Sequence, residues 1–141
     1  MNIFYDDDAN IEIIQKMKVS IVGYGSQGHA HANNLNDSGV DVTVALREGS
    51  NSWDKALEAG LKVLPVDKAT ENADLVMILA PDEFQKDIFE KDIQPNLKSD
   101  AILAFAHGFN IHFKKIVPNE TNSVIMICLL YTSPSPRDIP L

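Results

Sequence analysis

Short apolar runs alternate with stretches of helical spacing along most of the chain. Six runs have the length and composition of strands: residues 19–22, 42–46, 61–64, 74–79, 101–106 and 123–127. The run at 74–79 is almost continuously apolar, which is typical of a strand that is buried on both faces of a sheet. Strands that alternate with helical segments indicate βα units. The sequence therefore predicts an α/β fold, doubly wound around a mainly parallel sheet with flanking helices.

Four helices are predicted between these strands. They cover residues 27–37, 53–59, 66–72 and 82–91. Gly39 and Gly60 follow the first two helices, at the position where a left-handed residue commonly ends a helix. Pro81 ends the fourth strand because it cannot donate to a strand ladder.

A glycine-rich loop follows the first strand. Gly23, Gly25 and Gly28 match the G-x-G-x-x-G pattern, with a strand before them and a helix after. The first glycine permits a tight turn, the second lets the backbone approach a pyrophosphate, and the third allows close packing of helix and strand. Ser26 is placed to cap the helix and to donate to a phosphate. The simpler alternative is a strand–turn–helix junction that needs glycine for its shape, but the surrounding βα units favour a Rossmann-type nucleotide-binding domain.

The loop after the second strand bears on which nucleotide is bound. Glu48 could hold the ribose hydroxyls of NADH, as an acidic residue does in many NAD-binding units. Arg47, Ser50 and Ser52 instead offer a guanidinium and two hydroxyls, which suit the 2′-phosphate of NADPH. A solvated polar loop is the third alternative. The sequence favours NADP(H).

Composition and charge limit the classes of function. With 45% hydrophobic and 23% charged residues, the 141-residue chain is expected to form one globular domain. A net charge of −8 argues against nucleic acid or an anionic membrane as the main partner. Cys128 is the only cysteine, so no internal disulfide can form. No signal peptide and no transmembrane run is recognisable, and the sequence predicts a cytoplasmic location.

Several separated motifs resemble one enzyme family. They are Phe4-Tyr5-Asp6-Asp7-Asp8, the stretch from Gly23 to Ala30, Leu46 to Ser50 with Ser52-Trp53, Leu79-Ala80-Pro81-Asp82-Glu83, and His107-Gly108-Phe109-Asn110-Ile111. Together they are similar to the N-terminal NADPH-binding domain of ketol-acid reductoisomerase, also called acetohydroxy acid isomeroreductase. The resemblance extends from the N-terminus to about Ile127.

The resemblance implies an oxidoreductase of branched-chain amino-acid biosynthesis, leading to isoleucine and valine. Such an enzyme isomerises a 2-acetohydroxy acid by Mg²⁺-assisted alkyl migration and then reduces the intermediate with NADPH to a 2,3-dihydroxy acid. The family is homo-oligomeric, with a small-molecule substrate and no nucleic-acid or membrane partner.

The resemblance also assigns roles to individual residues. The cofactor contacts that it implies are Tyr24, Gly25, Ser26 and Gln27 in the glycine loop, Arg47, Ser50 and Ser52 at the 2′-phosphate, and Asp82, Glu83, Phe84 and Gln85 after the fourth strand. Gly23 and Gly28 join this set as the outer glycines of the motif. His107 corresponds to the catalytic histidine. A carboxylate pair at the first turn of a helix is often only a response to the helix dipole, and a lone histidine is often structural. Their place at strand ends favours the functional interpretation, because ligands of open α/β sheets bind there.

The last residues depart from the family pattern. Residues 1–127 are expected to be the NADP(H)-binding domain, and 128–141 an atypical tail whose composition at 132–137 predicts disorder. The family's C-terminal helical domain, which supplies the Mg²⁺ ligands, is expected to be missing, so this chain is expected to be inactive alone. No metal site is predicted within it: Asp6, Asp7 and Asp8 lack a spaced partner, and His29 and His31 do not share a helix face.

Two alternatives remain open from the residues alone. The first is a regulatory module that binds NADP(H) without chemistry, which would have no need of His107 in its cleft. The second is the cofactor domain of another NADP-dependent dehydrogenase, which the loop at residues 47–52 cannot distinguish.

Overall fold

The computed structural model describes residues 1–128, and its centre is a six-stranded sheet in the order β3-β2-β1-β4-β5-β6. The strands are β1 Lys18–Val22, β2 Asp41–Ala45, β3 Lys62–Leu64, β4 Leu75–Ile78, β5 Ile102–Phe105 and β6 Ser123–Met126. All five neighbouring pairs are parallel. The predicted α/β, doubly wound, parallel architecture is confirmed, and each observed strand agrees with its predicted bounds to within one residue. The predicted tail lies outside the described residues, apart from Cys128.

Six α-helices accompany the strands. They are α1 Ile11–Gln15, α2 Ser26–Asp37, α3 Trp53–Glu58, α4 Val66–Glu71, α5 Asp82–Ile88 and α6 Phe109–His112. Gly39 and Gly60 adopt the expected positive φ angles of 77° and 79° after α2 and α3. The two short helices α1 and α6 were not predicted, because four or five residues are too few to show a helical period.

The helix after β4 differs from its prediction in one respect. A single α-helix was expected over residues 82–91, but the α-helical turns end at Ile88 and a π-helical turn follows at Phe89–Ile93. Phe89 and Ile93 are both fully buried in the core. The wider turn is a local irregularity that the periodicity of the sequence does not reveal.

Two apolar clusters cover the faces of the sheet, and strands β1 to β5 contribute residues to both of them. Val19 and Ile21 of β1 belong to one apolar cluster, whereas Val22 belongs to the other. All four residues of β4 are buried, as its continuous apolar run predicted. At the edge of the sheet, the four residues of β6 are all exposed. No helix within residues 1–128 is long and apolar enough to cross a membrane.

Asp74 joins three segments where the central strands begin. Its carboxylate accepts hydrogen bonds from the backbone N–H of Lys18 at 2.9 Å and from Nζ of Lys98 at 2.8 Å. Its own backbone N–H donates to the carbonyl oxygen of Lys18 at 2.8 Å. The hydrogen bond from the Lys18 backbone, followed by that from Lys98, holds the pKa of Asp74 below its ordinary value of 3.8. The ionised carboxylate therefore stabilises the register of β1 against β4.

Candidate functional site

The strand order creates a crevice between β1 and β4. The chain leaves β1 towards β2 on one side, whereas β5 and β6 lie on the other side of β4. Loops from two neighbouring strands therefore diverge at their carboxyl ends, and this is where open α/β sheets bind ligands. A cleft of about 690 Å³ opens here. It is lined by residues of the glycine loop, by Leu46, Ser50 and Ser52 after β2, by residues 78–82 and Gln85 around the end of β4, and by Ala106, His107 and Cys128.

The outer glycines of the loop are required by its geometry. Gly23 has a φ of 103°, and its N–H donates to the carbonyl oxygen of Ala45 at 3.1 Å. A Cβ at Gly23 would also lie 3.0 Å from the backbone nitrogen of Ala80. A Cβ at Gly28 would overlap the carbonyl oxygen of Gly23 and lie 2.9 Å from its carbonyl carbon. These two glycines let α2 pack directly on the end of β1.

The middle glycine differs from its neighbours. A Cβ at Gly25 would meet nothing within 4 Å, and the residue is exposed at the cleft. Its φ of −74° is available to any residue. The fold therefore does not require glycine here, whereas a ligand backbone that lies close to the loop would.

Ser26 does not cap the helix as the sequence suggested. The N-cap is Gly25, no side chain caps the helix, and Ser26 is the first residue of α2. Ser26 and Gln27 both line the cleft beside this uncapped helix end. No side chain therefore accepts a hydrogen bond from the backbone N–H groups of the first turn. These groups are available to bind an anion in the cleft.

Tyr24 lines the cleft from a packed position. The residue is 9% exposed, its ring contacts that of His29 edge to face at 5.5 Å, and its hydroxyl accepts a hydrogen bond from Asn33 at 3.2 Å. These contacts hold the side chain against α2.

A second cleft, of about 620 Å³, adjoins the first beyond Ser50. Arg47, Glu48, Ser50 and Phe84 line it, and Ser50 contributes to both clefts. Ser50 donates its backbone N–H to the carbonyl oxygen of Arg47 at 3.0 Å, and its Oγ accepts from the backbone N–H of Ser52 at 3.3 Å. Arg47 and Glu48 are both exposed at the same cleft, so the geometry brings both candidate ribose-side residues to it.

The residues in the first turn of α5 lie in different places relative to the two clefts. Asp82 and Gln85 line the first cleft and Phe84 the second, whereas Glu83 is exposed and is among the lining residues of neither. The Gln85 side chain is buried: its Nε2 donates to the carbonyl oxygen of Ala80 at 2.7 Å, and its Oε1 accepts from Asn110 at 2.8 Å. Gln85 therefore shapes the wall of the cleft from within the protein.

His107 follows β5 and meets α5 across the cleft. Its Nε2 lies 3.2 Å from Oδ1 of Asp82, with both side chains partly open to solvent. Behind them, Nδ2 of the buried Asn110 also approaches the carbonyl oxygen of Asp82 at 3.4 Å. The sequence motifs did not indicate a role for Asn110. A polar residue between Phe109 and Ile111, five residues after the end of β5, was the available signal.

The Mg²⁺ that the resemblance implies does not fit the described residues. Residues 1–128 contain no group of three or more His, Cys, Asp or Glu side chains that could hold a metal ion.

Comparison with known proteins places the chain beside one family. Residues 13–130 match the family model of the acetohydroxy acid isomeroreductase NADPH-binding domain. The NADP(+) ketol-acid reductoisomerases of Psychrobacter sp. (strain PRwf-1) and Psychrobacter cryohalolentis are 61% and 57% identical over 127 residues, or 90% of this chain. The chain spans only 38% of the length of each of these relatives.

Solved structures agree with these matches. An NADH-preferring ketol-acid reductoisomerase from an uncultured archean superposes with a TM-score of 0.85 at 47% identity, over 91% of this chain and 40% of that one. A 3-hydroxyisobutyrate dehydrogenase of Mycobacterium tuberculosis gives a TM-score of 0.65 at 14% identity, over 78% of this chain and 39% of that one. The second similarity concerns the fold alone.

Proposed function

This chain belongs to the acetohydroxy acid isomeroreductase family and matches its NADPH-binding domain, and on that premise we propose that it binds NADPH in the crevice between β1 and β4. The pyrophosphate would lie over Gly25, Ser26 and Gln27, and the 2′-phosphate would be held by Arg47, Ser50 and Ser52. Of the residues after β4, Asp82 and Phe84 would contact the cofactor directly, with Gln85 supporting the wall and Glu83 at its outer margin. Tyr24 would contribute from its packed position, and Gly23 and Gly28 through the shape of the loop.

One observation carries this proposal: the glycine in the middle of the loop faces open space. Gly23 and Gly28 are required by the packing of the protein itself, but nothing in the protein lies within 4 Å of a Cβ at Gly25. The uncapped first turn of α2 lies beside it, and the hydroxyl groups of Ser26, Ser50 and Ser52 line the same cleft in a net-negative chain. A group that needs both a close backbone and N–H donors, such as a pyrophosphate, suits that space.

In the complete enzyme, His107 would exchange a proton with a substrate oxygen in the conversion of a 2-acetohydroxy acid to a 2,3-dihydroxy acid. Bound NADPH supplies the hydride for the reductive step. The position of His107 at the end of β5, in the same cleft as the glycine loop, supports this role. Imidazole suits it because one ring nitrogen can donate a proton while the other accepts one.

Two alternatives follow from the sequence: the cofactor domain of another dehydrogenase, and a module that binds NADP(H) without chemistry. Dehydrogenases of other classes resemble the chain only at low identity, such as 14% for the hydroxyisobutyrate enzyme, while the ketol-acid reductoisomerases exceed 45%. A binding module without chemistry would share the cleft but would not need His107 within it.

Titration of the chain with NADPH, followed by the fluorescence of the reduced nicotinamide, tests the proposed site. We expect saturable binding by wild type, and at least a tenfold loss on Gly25→Ala, because the added methyl group occupies the space of the ligand. Ser99→Ala, on an exposed residue after the helical turns that follow α5, is the matched control and should bind as wild type does. Equal affinity of Gly25→Ala and wild type would show that the cofactor does not lie against this loop.

A further inference from the structure

The first turn of α5 and the segment after β5, which runs through α6, are joined by polar contacts at two places, one between Asn110 and α5 and one at the cleft. One is buried and neutral: Nδ2 of Asn110 donates to Oε1 of Gln85 at 2.8 Å. The other lies at the cleft: Nε2 of His107 is 3.2 Å from Oδ1 of Asp82. Because the buried contact already ties the loop to the helix, the contact at the cleft is not needed to hold the two elements together.

The chemistry of the contact at the cleft determines where the proton lies. An ionised carboxylate can only accept a hydrogen bond, so any hydrogen bond across this 3.2 Å contact is donated by Nε2 of His107. In the neutral imidazole the lone pair is then on Nδ1. A histidine whose ring nitrogen donates to a carboxylate is held in one tautomer and one orientation.

We propose that Asp82 is a positioning residue that holds His107 in the Nε2–H tautomer and in a single ring orientation, leaving Nδ1 to exchange the proton with substrate. The proposal rests on the role of His107 under the proposed function. The Asp82 carboxylate would then contact His107 as well as the cofactor. The buried hydrogen bond between Asn110 and Gln85 sets the distance between α5 and the segment after β5. Asp82 then determines the tautomer and the orientation of the His107 ring.

The pair can be observed without cofactor or substrate. Long-range proton–nitrogen correlation spectra of the ¹⁵N-labelled chain distinguish a protonated from an unprotonated ring nitrogen. Three-bond couplings from Cγ to the backbone report whether the His107 side chain keeps one rotamer. In wild type with neutral His107, we expect a protonated Nε2, an unprotonated Nδ1 and couplings of a single rotamer.

Two substitutions complete the experiment. Asp82→Asn offers both an acceptor and a donor to the ring, so either tautomer is satisfied. The two nitrogen resonances should move towards each other and the couplings should average. Asp87→Asn removes the same charge one turn further along α5 and should leave both signals as in wild type. A proton on Nδ1 in wild type, averaged couplings in wild type, or unchanged signals in Asp82→Asn would each overturn the proposal.

These results are independent of the proposed function. If NADPH fails to bind wild type while the His107 signals depend on Asp82, the cofactor assignment is wrong and the pair is real. If NADPH binds and the signals do not depend on Asp82, the cofactor assignment stands and the positioning role is wrong.

Discussion

Gly28 packs against the carbonyl group of Gly23 so closely that no side chain fits between them. A Cβ at Gly28 would overlap the carbonyl oxygen of Gly23, and the obstruction is backbone, which cannot rotate away as a side chain can. The carbonyl group of Gly23, the first residue after β1, thus sets how near α2 approaches the sheet.

Gly28→Ala is therefore expected to destabilise the fold. Overpacking of this kind costs about 1–3 kcal/mol, and the free energy of unfolding in urea measures it. Gly25→Ala is the matched control, because the same added methyl group meets no protein atom within 4 Å. The free energy of unfolding of Gly25→Ala should stay within about 1 kcal/mol of the wild-type value, because alanine is a poorer N-cap residue than glycine. Equal stability of wild type and Gly28→Ala would contradict the packing described for the loop.

Arg47→Ala is expected to change cofactor preference. Hydrogen bonds to charged groups are worth about 1.5–3 kcal/mol, so one such bond favours NADPH over NADH by roughly tenfold to a hundredfold or more. The variant should lose affinity for NADPH and keep its affinity for NADH, and added salt should reduce the preference of wild type because Arg47 is exposed. Calorimetric titration with both cofactors measures this.

Two outcomes would contradict the assignment of Arg47. Equal losses for NADPH and NADH would place Arg47 at the pyrophosphate or in the structure of the loop. A preference of wild type for NADH would assign the ribose to Glu48, which lines the same cleft.

Asp74→Asn is expected to weaken the fold at neutral pH and to flatten its response to acid. The pKa of Asp74 is lowered in the folded chain. Its contribution to stability is therefore fully present above the unfolded value and is lost as the pH falls through the folded value. The side chain is 39% exposed, so solvent screening keeps the effect at about 1 kcal/mol or less.

Urea denaturation of wild type and Asp74→Asn at several pH values between neutrality and strong acid measures this contribution. The two curves should differ most near neutrality and converge in acid. Asp100→Asn, at an exposed aspartate just before β5, is the control and should run parallel to wild type. A difference between Asp74→Asn and wild type that persists unchanged in acid would show that the carboxylate charge does not stabilise the fold.

Asn110→Ala is expected to destabilise the chain by about 1–3 kcal/mol, because it leaves the buried Oε1 of Gln85 without its donor. Thermal unfolding of the variant, compared with Asn51→Ala at an exposed position, measures the cost. Equal unfolding temperatures for the two variants would show that the amide pair does not hold the loop.

The sheet could be predicted from the sequence because its strands are apolar and are interrupted by clear stop signals. The run at 74–79 and the glycine loop after residue 22 carried enough information to locate the crevice. Features that depend on contacts between distant residues were not predictable. The sequence placed Ser26 as a helix cap, yet the turn at Gly23 makes Gly25 the N-cap. Nothing in the sequence pairs Asn110 with Gln85, or His107 with Asp82, since those pairs form only when β4 and β5 lie side by side.

The crevice between β1 and β4 also bears on the order in which the molecule folds. β1 and β2 are joined by one helical crossover, whereas Lys18 and Asp74, which meet where β1 and β4 begin, are 56 residues apart. Contacts between distant segments form more slowly, and during synthesis the N-terminal segments are available first. We therefore expect the half-sheet of β1, β2 and β3 to assemble with only one wall of the crevice in place. A ligand that contacts both walls binds only the completed sheet. Its binding therefore shifts the folding equilibrium towards the complete fold.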